Sequence, residues 1–238
     1  MVNADTTQHD DETVDAGRSR PAAASRLAAQ AWAGIAGPIL FTATFVAQEL
    51  LRRDEFSPMA EPVSALEAGP HGWVQQVNFV VFGLLTIAFA IGLHRGMRPT
   101  RAGIVGPGLL LVSGIGLLLA AAFPLREDAA GVTYDPGGHI VAGAVFFLTS
   151  AAALVVVSRR LVLDPRWHGL ATYSLLAGIA ALAGFGLMGA LVIPDDAPLH
   201  DWAGLGQRLL VVVVVFPCRV VLAFRLRQVA RGDSWSGR

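Results

Sequence analysis

The sequence predicts an all-α, polytopic integral membrane protein: a bundle of six transmembrane helices with both termini in the cytoplasm. Three observations carry this prediction. Hydrophobic residues make up 54% of the chain and charged residues only 15%, a balance that soluble domains of this length rarely show. Six segments are each long and apolar enough to cross a bilayer, which takes about 20 residues. The arginines, finally, crowd into alternate loops between those segments.

The spans fall near residues 31–51, 73–93, 103–123, 139–158, 169–193 and 205–224. The first is too long, and its leading flank too extended and acidic, for a cleaved signal peptide, so it is read as a retained span. Ahead of it, MVNADTTQHDDETVDAGRSRPAAAS is polar and nearly free of large apolar side chains and cannot bury enough surface to order itself. Residues 1–26 are therefore read as a disordered cytoplasmic tail, 27–227 as the six-helix transmembrane domain, and 228–238 as a second cytoplasmic tail. Gly34 and Gly37 in the first span, Gly103, Gly106, Gly108, Gly114 and Gly116 in the third, and Gly178, Gly184, Gly186 and Gly189 in the fifth are small enough for close helix approach. Pro217, well inside the sixth span, predicts a kink there.

Orientation follows from the arginines, because short loops rich in Arg stay in the cytoplasm. Arg18, Arg20 and Arg26 precede the first span; Arg95, Arg98 and Arg101 fill the second loop; Arg159, Arg160 and Arg166 fill the fourth; Arg225, Arg227, Arg231 and Arg238 follow the last. The first, third and fifth loops hold only Arg52, Arg53 and Arg126 beside Glu55, Glu61, Glu67, Asp128, Asp135, Asp195, Asp196 and Asp201. These loops are expected outside, in the plasma membrane of a bacterium.

Basic and acidic residues balance at 18 each, and no basic patch argues for nucleic acid. The single cysteine, Cys218, excludes an internal disulfide and reads as a buried small hydrophobe. No motif calls for a cofactor.

The chemistry gathers at the outer ends of the spans. SALEAGPHGWVQQVNF, residues 64–79, places Ser64, Glu67, Gln75 and Asn78 before or within the start of the second span. Trp73 sits where tryptophan belongs at a lipid boundary, and Gln75 and Asn78, three apart, share a helix face that should turn into the bundle. His71 precedes the second span, His139 opens the fourth after Gly137 and Gly138, and His200 precedes the sixth. Gln207 and Arg208 open the sixth, and Arg208 needs an acidic partner, with Asp201, Glu67 and Asp128 as candidates. Arg219 reads as snorkelling to the cytoplasmic boundary.

The leading expectation is a polar pocket at the outer face, lined by Gln75, Asn78, His139 and Arg208 with Ser64, Glu67, Asp128 and Gln207. It would bind or move a small or lipid-like molecule, or support a membrane assembly, with membrane lipids as the surrounding partners. The alternative is a membrane hydrolase, with or without a metal, using outward histidines and carboxylates. Its signals are weak: no HExxH and no GxSxG elbow occurs, and the three histidines are roughly 60–70 residues apart.

SALEAGPHGWVQQVNFVVFGLL, the AAFP closing the third span, GGHIVAGAVFF opening the fourth, RRL with a following tryptophan in the fourth loop, and GLGQRL opening the sixth together resemble the bacterial membrane family catalogued as domain of unknown function 998. The resemblance runs from the first span to the last. It implies a multi-helix membrane protein of unassigned activity, with Ser64, Gly72, Trp73, Asn78, Phe123, Pro124, His139, Gln207 and Arg208 at family-like positions. Two departures matter. The family pattern places a glutamate where this chain has Gln207, and an aspartate soon after Phe-Pro where this chain reads LRED, making Asp128 a shifted counterpart.

Overall fold

The computed structural model describes residues 7–98, 103–192 and 196–232. Its long helices are α1 (Thr7–Leu51), α2 (Trp73–Gly96), α3 (Val105–Ala122), α4 (His139–Val162) and α5 (Ala171–Leu191). The last membrane-length segment, His200–Ala230, joins α6 (Ala203–Arg208), a π-helical stretch (Leu209–Val215) and α7 (Phe216–Ala230). Six helices are thus long and apolar enough to cross a membrane; the first, Ala22–Leu51, and the sixth, His200–Ala230, extend well beyond the expected 31–51 and 205–224, and the other four lie within a few residues of expectation. Helix α1 begins at Thr7, inside the segment read as a tail; residues 1–6 and 233–238 lie outside the described residues. So does Asp195 of the fifth loop.

Each helix packs on its neighbours in chain order and α7 returns to α1 and α2, closing the bundle. Two apolar clusters fill it. One, around Leu93, Leu161, Trp167, Leu222 and Leu226, lies toward the end holding the 163–170 loop. The other is aromatic, with Phe41, Phe45, Phe79, Phe82, Phe146 and Phe216 beneath the 52–72 loop. Close helix approach is real at Gly114, whose carbonyl faces Gly83, and at Gly116 and Gly178, which meet the backbones of α4 residues 142–146 and 151–155. Gly108, Gly186 and Gly189 face open space instead, so the packing expectation fails for those three. The kink expected at Pro217 takes the form of the π-helical stretch just before it. Proline has no N–H for the Val213 carbonyl, and the ladder upstream widens to i→i+5.

The RRL…W motif knots the arginine-rich end. The Arg160 guanidinium donates to the carbonyls of His94, Met97, Arg98 and Gly103, meeting acceptors that the end of α2 would otherwise leave free. Asp164 accepts from the Arg98 N–H and from the Arg166 guanidinium, at 2.7 Å for the closest bond, and the Arg225 guanidinium donates to the Arg166 carbonyl. Burial alone would raise the Asp164 carboxyl, but these donors hold it down at about 2. Because that lies below its ordinary 3.8, the contribution is complete above pH 4 and disappears as pH falls toward 2, amounting to about 2 kcal/mol. Melting curves between pH 5 and 2 are expected to show a steeper loss for the parent than for Asp164→Asn.

Candidate functional site at the loop-capped end

Several of the polar residues picked out by sequence meet at one object, the 52–72 loop, which lies across the end of the bundle as a cap. Its 3-10 turn, Val63–Glu67, buries Val63, Ala65, Leu66 and Glu67, and Phe56 is buried beside it. Burying a loop requires partners for its backbone, and the GLGQRL motif supplies four of them. The first N–H groups of α6, from Gly204 and Leu205, donate to the Ala60 and Met59 carbonyls. Gln207 Oε1 accepts from the Val63 N–H at 2.8 Å, and Arg208 Nη1 donates to the Glu61 carbonyl at 2.8 Å. A Cβ on Gly204 would stand 2.3 Å from the Glu61 carbonyl oxygen, and one on Gly72 only 1.8 Å from that of Glu67; glycine is what lets the cap seat.

Arg208 finds a partner that the sequence reading did not name. Its Nε and Nη2 donate to Glu49 Oε1 at 3.0 and 2.6 Å, and its guanidinium lies over Phe45 and Phe56. The expected partners Asp201, Glu67 and Asp128 are not paired with it. The available signal was Glu49 itself, a lone acid in an apolar run, which needs a cation as much as Arg208 needs an anion.

Gln75 and Asn78 turn inward, both buried. Gln48 Nε2 donates to Gln75 Oε1 at 2.9 Å, and Asn78 Nδ2 donates to Gln75 Oε1 and to the Phe41 carbonyl. They tie α2 to α1. Trp73, 63% exposed, stands at the rim.

Glu67 and His139 form the third group. Asp135 caps α4, its carboxylate accepting from the Gly137, His139 and Ile140 N–H groups; although burial acts to raise it, those donors and His139 hold its carboxyl low. With Gly137 and Gly138 at φ 131° and 102°, the chain turns sharply and delivers His139 into the bundle. His139 Nδ1 lies 3.1 Å from Glu67 Oε2 and 3.1 Å from the Phe123 carbonyl, so Nδ1–H is shared between two acceptors. The Leu125 N–H donates to the same Glu67 oxygen. Glu67 Oε1 is buried and has no hydrogen-bond partner among the described residues. Burial pushes the Glu67 carboxyl above its ordinary range, with His139 and the Leu125 N–H pulling the other way.

A short hairpin, β1 (Arg126–Glu127) with β2 (Thr133–Tyr134), stands beside this pair. Between the hairpin and the cap is an open depression of about 550 Å3, lined by Glu67, Ala68, Gly69, Gln76, Pro124, Leu125, Arg126, Glu127 and Asp128. Of the eight residues expected to share a pocket, only Glu67 and Asp128 line it. Gln75, Asn78, Gln207 and Arg208 are engaged in holding helices and cap. Ser64 makes no side-chain hydrogen bond among the described residues, and Asp128 Oδ1 accepts from Ala130 and Val132 N–H to shape the hairpin turn. His71 is in the cap and His200 bonds the Val192 carbonyl, so neither joins His139. Among the described residues no three His, Cys, Asp or Glu side chains gather to hold a metal, and no Ser–His pair forms.

No curated protein and no solved structure matches the chain. A family model described as "Protein of unknown function (DUF998)" matches residues 35–223, which takes in the motifs that form the cap, the Glu67–His139 pair and, Arg225 apart, the Arg160 knot. The chain belongs to this family of proteins of unknown function.

Proposed function

We propose that this chain is a bacterial plasma-membrane protein, both termini cytoplasmic, that receives a small or lipid-like molecule at its capped, outward-facing end, with Glu67 as the recognition centre and His139 as its support. One observation carries the reading. Glu67 lines an open depression, and its buried carboxylate has one oxygen held by His139 and Leu125 and the other without a hydrogen-bond partner among the described residues. A buried acceptor left unmade costs about 1–3 kcal/mol, and a ligand donating to Oε1 recovers it. Gln207 and Arg208 serve by fixing the cap that carries Glu67, and Gln75 and Asn78 by tying α2 to α1 beneath it. The orientation rests on the arginine distribution, which puts the Arg160 knot inside and the acidic loops outside.

The test is native mass spectrometry of the full chain released from bacterial membranes. The parent is expected to retain a small molecule or lipid that Glu67→Gln loses by about tenfold, with its melting temperature little changed because the shape of the side chain is kept. Equal retention by both proteins would sink the reading. A periplasmic-only reporter fused after Arg238 should be inactive.

A further inference from the structure

We infer that the molecule taken at Glu67 is a zwitterion joining a primary ammonium to a phosphate ester, the chemistry of an aminoethyl-phosphate headgroup. This rests on the reading of Glu67 as the recognition centre and adds the ligand class. The unpartnered Glu67 Oε1 needs a hydrogen-bond donor, which a primary ammonium has and a quaternary one lacks. Glu127 and Asp128 on the hairpin line the same depression, so acidic residues border it from the cap and from the hairpin. A cation is the complement.

The opposite charge is also present. Arg126 lines the depression. Arg52 Nη1 is engaged by the Leu66 and Ala68 carbonyls, while its Nη2 stands at Gly69, 3.1 Å from where a Cβ would be, with Glu127 Oε2 2.6 Å from the same point. Gly69 is thus flanked closely by a guanidinium and a carboxylate, with no room there for a Cβ. Arg126 on the lining, with the Arg52 guanidinium against Gly69 at its edge, matches a phosphate, and the adjoining acidic residues match an amine. A simple amine would leave the arginines unused, and a simple phosphate would meet three acids.

The height of the site fits a headgroup. Trp73 at the start of α2, and Ile140 and Val141 at the start of α4, are 63%, 68% and 68% exposed, which sets the lipid-facing surface at the level where the depression opens.

The experiment uses the purified full chain. Its melting temperature is followed in detergent with O-phosphoethanolamine, phosphocholine or ethanolamine, and in nanodiscs of phosphatidylethanolamine or phosphatidylglycerol. O-Phosphoethanolamine is expected to stabilise the parent, with phosphocholine and ethanolamine at least tenfold weaker; Glu67→Gln and Arg126→Gln should each weaken it by about tenfold. Added stability in phosphatidylethanolamine discs, lost in Glu67→Gln, makes the ligand a lipid; stabilisation by the soluble compound alone makes it a free metabolite, and either outcome supports the inference. Phosphocholine acting as well as O-phosphoethanolamine would overturn it, as would indifference to both while native mass spectrometry still finds a Glu67-dependent ligand, and in those cases the proposed function stands. No stabilisation and no Glu67-dependent ligand would remove both.

Discussion

Arg208→Ala is expected to lower the unfolding free energy by about 3–5 kcal/mol, because it leaves Glu49 with a charge and no counter-charge in a confined place. The two side chains are only 12% and 11% exposed and meet at 2.6 Å, so solvent screens them little. The loss is wider than one ion pair. Arg208 also donates to the Glu61 carbonyl in the cap and packs on Phe45 and Phe56, so the cap loses a backbone partner and an aromatic contact together. Adding Glu49→Gln to Arg208→Ala removes the stranded charge and should restore part of the loss. Apparent melting temperatures of the parent, the two single variants and the double variant form the cycle. A single-variant loss under about 1 kcal/mol, the range of exposed pairs, would show that the pair is solvated.

The same residues show what a sequence discloses and what it withholds. Span number and approximate bounds were legible because each span must satisfy the bilayer by itself, which writes about 20 apolar residues into every one. The inward turn of Gln75 and Asn78 was legible for a similar reason, since their three-residue spacing fixes a common face. Pairings across the chain were not. Arg208 and Glu49 are 159 residues apart, and Glu67 meets His139 only because Asp135, Gly137 and Gly138 turn the chain into α4. Sequence marked both as polar groups needing partners and left the choice among acids to the fold. The expected shared pocket failed on the same point. Gln75, Asn78, Gln207 and Arg208 are engaged with helices and cap, and of the eight only Glu67 combines, among the described residues, an unpartnered buried oxygen with a place on an open wall.

Arg219→Met is expected to raise stability by about 1–4 kcal/mol, the range found when buried charged groups give way to packed apolar ones. The snorkelling reading of Arg219 is corrected by its burial: the residue is 1% exposed, turned into the bundle against α2 instead of out to the boundary. Its Nη2 donates to Thr86 Oγ1 at 2.7 Å and its guanidinium lies over the Phe82 ring at 5.1 Å. Nε and Nη1 are buried with no hydrogen-bond partner among the described residues. One hydroxyl and one ring are thin compensation for a desolvated cation. Thr86→Val should then cost about 1.5–3 kcal/mol in the parent, the range for a hydrogen bond to a charged group, and much less in the Arg219→Met background, where no charge remains to be stranded. Four melting curves decide it. A destabilised Arg219→Met would mean that the guanidinium is held by more than Thr86 and Phe82. A stabilised one would mean that the family fold tolerates a buried charge at a cost, which makes the position a place to look for a role in activity instead of folding.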